Sequence, residues 1–232
     1  MIDMTALIRM ARKTGITLSR SITLILILFY VAQTAILVHL LLERTKLQEE
    51  IIAKDAQIAE MERQNAELRE KLKIFEIIDD FQRGFTPKEV QKIGETIFDQ
   101  SRLFGYDPLL LMALILTESS FRKGEESEMG ALGLMQLLPS TGYLLSHKYE
   151  MPWKDESSLF DPHYNIRMGS YYLFELILKY GDVKKALVAY NIGEYAMEGR
   201  ISLKMDLPRG FVNTVMKKYE MLKSNYPDSL FG

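Results

Sequence analysis

The run 22–42, ITLILILFYVAQTAILVHLLL, contains no Asp, Glu, Lys or Arg, and nothing else in the chain restricts folding so severely. A bilayer core offers no water to peptide N–H and C=O groups, so a segment of this kind crosses it only as a helix. At a rise of ~1.5 Å per residue the run reaches roughly 30 Å, the thickness of a hydrocarbon core. A cleaved signal peptide would have a shorter apolar core ending at a small-x-small site. Here the run continues through Ala32-Gln33-Thr34 into AILVHLLL, so the expectation is an uncleaved transmembrane helix. Residues 1–21 hold Arg9, Arg12, Lys13 and Arg20 against Asp3 alone. The positive-inside bias assigns this short basic end to the cytoplasm and everything after Leu42 to the far side of the cytoplasmic (inner) membrane, periplasmic or otherwise extracytoplasmic.

Residues 43–84 read as a coiled-coil stalk. Leu47, Lys54, Met61, Leu68 and Phe75 recur at heptad position d, and Ile51, Ile58, Asn65 and Leu72 at a. Ile at a, Leu at d and one polar Asn65 favour a parallel pair of helices, so a homodimer through residues 47–75 is expected. Lys54 at d weakens the seam. Between paired helices Lys71 would attract Glu76, whereas Glu50 would repel Asp55. A single solvated helix acting as a spacer is the alternative, and either form spans roughly 50 Å. Gly84 marks the break.

Residues 85–232 read as one all-α domain. Thr86-Pro87-Lys88-Glu89 is a capping box with proline at the first helical position, opening a helix to about Leu103. Asp107-Pro108 opens the next, Pro139 one through Tyr149, Asp161-Pro162 one through Tyr180, Asp182 one through Ala189, and Pro208 the last, to about Ser224. Period-two alternation is absent apart from a short hairpin candidate after Gly130. The chain has no cysteine, which excludes disulfides, thiolate metal sites and a cysteine nucleophile. Its 3 histidines (His39, His147, His163) lack metal-ligand spacing, so neither metal nor cofactor is expected. A net charge of −2 without a basic block does not point to nucleic acid.

The chemistry concentrates at Glu118. It is the only carboxylate in the otherwise apolar run Leu109–Ser119 (LLLMALILTES), where lost hydration raises a carboxyl pKa and lets it hold a proton near neutral pH. A general acid needs that property. Twelve residues on begins a glycine-rich turn, Gly130-Ala131-Leu132-Gly133-Leu134-Met135-Gln136, that lets a polymer approach the backbone. In these residues the chain resembles the lytic transglycosylases, enzymes with a goose-lysozyme-like domain. The family pattern E-S-x-F, then Ser, then G-A-x-G-L-M-Q-[LI]-[ML]-P-x-T is matched by Glu118, Phe121, Ser127 and the run Gly130 to Thr141. Asp161-Pro162 through Asn165-Ile166 and Gly169 to Tyr172-Leu173 is similar to its D-P-x-x-N-I-x-x-G-x-x-Y-L segment. Ala189-Tyr190-Asn191-Ile192-Gly193 is similar to A-Y-N-x-G, and Arg209-Gly210-Phe211-Val212 to R-x-Y-V.

The resemblance implies a lysozyme-like helical catalytic domain acting on glycan strands of peptidoglycan. Its implied reaction is cleavage of the β-1,4 bond between N-acetylmuramic acid and N-acetylglucosamine, with Glu118 as both acid and base and 1,6-anhydro-muramyl ends as product. By matched position Ser127, Gln136 and Tyr190 would contact substrate, with Asn191 and Asn165 ranked below them as structural bonds beneath the cleft. Tyr143, Tyr164, Tyr171 and Tyr172 are candidates for sugar stacking. Two departures stand out: Glu125, Glu126 and Glu128 flank Ser127, where anionic stem peptides would be disfavoured, and Phe211 replaces the family's usual tyrosine. Two other functions compete: a hydrolytic muramidase on the same fold, and a glycan-binding assembly module. An envelope-spanning machine, such as a secretion apparatus, is a candidate partner.

Overall fold

The computed structural model describes residues 5–6, 9–10 and 19–227. Asp3, Arg12 and Lys13 of the basic N-terminus lie outside the described residues. The chain divides into two units, Met1–Gln64 and Asn65–Gly232, joined by one unbroken helix α1 (Arg20–Phe81). The N-terminal part of α1 is long and apolar enough to cross a membrane, and none of its apolar window is buried within the protein. The Thr34 hydroxyl is satisfied inside the helix: Oγ1 donates to Tyr30 O (3.1 Å) and Val31 O (2.8 Å). A span in lipid requires such internal partners. Further along, Arg63 bridges Glu60 (2.8 Å) one turn back.

The second unit begins inside α1. Its last turns carry Ile74, Ile77 and Ile78, each no more than 1% exposed and part of the core of the globular unit. From sequence, a domain boundary is expected after Gly84. The chain does bend there, with Gly84 at φ 90°, but residues 65–81 pack with the domain. The reason is geometric: Ile74, Ile77 and Ile78 occupy helical positions off the a/d seam, so the end of α1 buries a second face.

The remaining elements are α2 (Pro87–Phe104), α3 (Pro108–Glu118), α4 (Pro139–Lys148), a short 3₁₀ turn (Glu156–Phe160), α5 (Pro162–Tyr180), α6 (Val183–Ile192), α7 (Glu194–Ser202) and α8 (Gly210–Asn225). Starts follow the sequence signals closely. Thr86 and Glu89 form the reciprocal capping box, with Thr86 N donating to Glu89 Oε2 at 2.9 Å. Asp107, Asp161 and Asp182 each accept a backbone N–H of the first turn they cap (2.8–2.9 Å). Each cap satisfies an N–H with no partner inside its helix and stabilises it by about 1 kcal/mol.

At the centre lies α3, whose residues Leu111 to Leu116 are at most 4% exposed. It packs on α2 and α8, while α5 packs on α2, α4 and α6. The core is therefore helix on helix throughout. Among the described residues no strand forms: the hairpin candidate is reduced to isolated bridges, Glu126 with Leu132 and Leu132 with Leu137. Two helical pieces went unread in the sequence, the 3₁₀ turn and α7. Gly193, at φ 81°, ends α6 and also serves as the N-cap of α7.

Candidate active site

Glu118 is the last residue of α3, half-buried. Immediately after it Ser120 (φ 52°) and Phe121 (φ 50°) both adopt left-handed backbone, a conformation that costs non-glycine residues of order 1–3 kcal/mol each. Full burial of the Phe121 side chain offsets this by roughly 2 kcal/mol. The turn is tied further by Arg83 N donating to Phe121 O (3.0 Å) and Lys123 N to Arg83 O (3.0 Å). Glu118 thus ends a rigid helix at an over-determined reversal, which holds its carboxyl at the mouth of a cleft.

That cleft, about 380 Å³, is lined by Glu118, Ser127, Met129, Ala131, Gln136, Thr141, Tyr172, Tyr190, Asn191 and neighbouring residues. Glu118 is the one carboxylate among them. Burial pushes its pKa up, from an ordinary 4.5 to about 8, against the opposing pull of the Lys218 ammonium. The acid therefore holds its proton at neutral pH.

The other predicted residues divide by how their polar atoms are spent. Ser127 Oγ accepts from Ala131 N (3.0 Å), leaving its own proton free for a ligand. Gln136, itself at φ 47°, commits Nε2 to Gly133 O (2.8 Å) and Glu125 O (3.2 Å), so only its Oε1 faces outward chemistry. Tyr190 is buried and donates to Met135 O (2.8 Å). Burial first, then the charge of Glu118, holds its pKa well above the usual phenol range, so it stays neutral. Asn191 is exposed on the cleft wall and its side chain makes no hydrogen bond among the described residues.

Asn165 is placed differently. It is fully buried: Oδ1 accepts from Met135 N (2.7 Å), and Nδ2 donates to Leu132 O and Leu159 O (2.9 Å each). It does not line the cleft; it pins the Leu132–Met135 turn from behind. Gly133 fits the same arrangement. At φ 79° a Cβ there would strike Asn165 Nδ2 and Leu159 O.

Of the aromatic candidates only Tyr172 lines the cleft, its ring 5.2 Å from that of Tyr190. Tyr171 instead stacks on Tyr149 at 4.0 Å. Phe211 lies against the core, away from the cleft lining. Among the three acids around Ser127, Glu125 pairs with Arg122 (3.3 Å), whereas Glu126 and Glu128 are exposed.

Two residues escaped the sequence reading. Met129 lines the cleft with 85% of its surface exposed. Lys218, on α8, donates Nζ to Leu116 O (2.7 Å) in the last turn of α3, a favourable position for a cation at a helix C-terminus. Its signal was present: on α8 the stripe Val215, Lys218, Leu222 places a lysine between two buried apolar residues.

Fold and site together define a lysozyme-like all-α domain with one acid in its cleft. Residues 95–209 match the family model of the Transglycosylase SLT domain. The chain is 38% identical over 99 residues to a transglycosylase of Enterobacteria phage PRD1, covering 43% of this chain and 34% of that one. A membrane-bound lytic murein transglycosylase C of Mannheimia succiniciproducens is 31% identical over 143 residues, covering 56% of this chain and 40% of that protein. The chain thus spans well under half the length of these relatives. In fold it is similar to the 70 kDa soluble lytic transglycosylase of Escherichia coli, with TM-score 0.50 and 23% identity over 58% of this chain and 24% of that one.

Proposed function

We propose that the domain cleaves the β-1,4 bond between N-acetylmuramic acid and N-acetylglucosamine in peptidoglycan, with Glu118 acting alone as acid and then base. The observation that carries this reading is the single carboxyl in the cleft, held protonated by burial. Glycosidases that invert or retain by the usual routes require two carboxyl groups. With one, the sequence of proton movements is short. Glu118 gives its proton to the glycosidic oxygen as the bond to the muramyl C1 breaks, and the substrate's acetamide stabilises the positive charge. The Glu118 carboxylate, now beside Lys218, accepts the proton of the muramyl C6 hydroxyl as that oxygen closes on C1. The products are a 1,6-anhydro-muramyl end and a free N-acetylglucosamine 4-hydroxyl, and no water is consumed.

Ser127, Gln136 Oε1 and Asn191 are assigned to substrate contacts, because each retains an unspent polar group on the cleft wall. Tyr190 is assigned to shaping the wall beside Glu118, and Asn165 to holding the turn. Mass spectrometry of peptidoglycan digested by the protein tests the chemistry. Anhydro ends support the reading; reducing ends would establish a muramidase in its place, and no cleavage at all a binding module.

The apolar part of α1 is assigned to anchoring the chain in the cytoplasmic membrane, with the domain on its outer side. Leu47, Ile51, Ile58, Met61, Leu68 and Leu72 are all exposed along α1, which supports pairing of two chains through residues 47–75. Sedimentation of the full chain in detergent reads this directly: a monomer at micromolar concentration removes the dimer from the proposal. An envelope-spanning machine as partner fits a tethered enzyme that opens wall locally.

A further inference from the structure

The cleft wall carries one sulfur atom, that of Met129. Met129 lies inside the turn Ser127–Gly130, closed by Gly130 N donating to Ser127 O (2.9 Å). Oxidation of a methionine to its sulfoxide follows exposure of the thioether, and here the exposure is uneven. Met112, Met135, Met168 and Met197 are fully buried in the core. Met10, Met61 and Met205 are exposed but lie outside the cleft lining. Met129, 85% exposed, combines an open sulfur with a place beside Glu118. The chain has no cysteine, so no thiolate competes for an oxidant. Hydrogen peroxide is uncharged, and the exposed acids Glu126 and Glu128 on the same loop do not repel it.

The consequence for a ligand follows from what the thioether offers. It is apolar, polarizable and flexible, and it shares the cleft wall with Ala131, Leu137, Leu138 and Ile192. Such a surface suits the methyl and C–H faces of an N-acetylated sugar. A sulfoxide at the same place is a polar acceptor with no proton to give. A sugar ring that covers it strips its water without supplying an aligned donor, and burial of that kind is unfavourable.

We propose that Met129 is a reversible oxidation site controlling the cleft: peroxide converts its thioether to the sulfoxide, which weakens glycan binding and slows cleavage. A sulfur lone pair bonds to one peroxide oxygen as the O–O bond breaks. The departing hydroxide takes the proton of the transferred oxygen and leaves as water, so sulfur is oxidised and peroxide reduced by the same electron pair. A methionine sulfoxide reductase reverses the step; its dithiol becomes a disulfide and the oxygen leaves as water. The inference rests on the reading of the cleft as the seat of a glycan strand.

The test treats the full chain in detergent with graded hydrogen peroxide and reads two quantities from each sample. One is the sulfoxide content at each methionine, by mass spectrometry of peptides; the other is kcat/KM on soluble glycan strands. Wild type and Met129→Leu are each compared with their own untreated sample. Wild-type kcat/KM is expected to fall about tenfold as residue 129 becomes oxidised, and to recover when reductases for both sulfoxide epimers are added. Met129→Leu should keep its own untreated value while its other exposed methionines oxidise. Equal loss in both proteins, loss that tracks a different methionine, or full activity with Met129 oxidised overturns the site. Binding of the strands by Glu118→Gln, oxidised and untreated, makes the same comparison without cleavage. Binding that weakens on oxidation, in a protein whose wild type never cuts, would sink the proposed reaction and leave the oxidation site standing. Strands neither bound nor cut by untreated protein remove both.

Discussion

Replacing Glu118 by glutamine should stabilise the protein at neutral and alkaline pH while sharply reducing its activity. In the folded state burial raises the Glu118 pKa from 4.5 to about 8; unfolded, it returns to its ordinary value. The sign follows from proton counting. Below about pH 4.5 both states are protonated and the group costs nothing. Between 4.5 and 8 the unfolded state ionises first, so each pH unit removes about 1.4 kcal/mol of stability. Above pH 8 the loss levels off. The ceiling is about 5 kcal/mol, and partial hydration of a half-buried carboxyl reduces it to about 2 to 4. Glutamine keeps the shape and never ionises. Chemical denaturation of both forms, every half unit from pH 4 to 9, should show curves that coincide near pH 4 and separate through neutrality, the variant being more stable. Its cleavage should fall by about 10² to 10⁴, the usual contribution of a general acid. A stability difference that stays flat across that range would mean a hydrated carboxyl with an ordinary pKa, and the acid would then be ionised when needed.

Three further outcomes test other parts of the site. Lys218→Met removes the charge that lowers the Glu118 pKa, so the alkaline limb of kcat against pH should move upward; an unmoved limb would show that Lys218 does nothing more than cap α3. Asn165→Ala strands Met135 N, Leu132 O and Leu159 O and should cost about 3 kcal/mol or more in unfolding free energy, whereas exposed Asn191→Ala should stay within about 0.5 kcal/mol and act on KM. Gly133→Ala forces a Cβ into Asn165 and Leu159 at a positive φ, and a Tm within a degree or two of wild type would contradict the packing described.

Much of the architecture was readable because it depends on near neighbours along the chain. Thr86-Pro87-Lys88-Glu89, Asp107-Pro108 and Asp161-Pro162 declare helix starts through contacts three or four residues long, and the structure places those helices within a residue or so of where they were read. The helix α7 was not legible because Gly193 both ends α6 and opens α7, and glycine ends helices more often than it opens them. Phe75 and Leu72 suggested that the stalk ran its full length on one seam, whereas the three buried isoleucines nearby lie on a face that only the folded domain reveals.

The sequence by itself determined that a membrane-length apolar helix precedes an all-α domain, and it singled out one acid, Glu118, in an apolar helix. These are properties of composition and short spacing, and they need no knowledge of what packs where. Only the tertiary structure decided which polar atoms remain free. Asn165 and Asn191 have the same side chain, yet one is consumed by three backbone bonds, two of them to the distant Leu132–Met135 turn, and the other stands open at the cleft. Lys218 reaches the end of α3 from α8, and Lys184 and Arg209 meet across a groove. Hydrogen-bond occupancy and electrostatic environment depend on neighbours remote in sequence, and those are assigned when the helices pack.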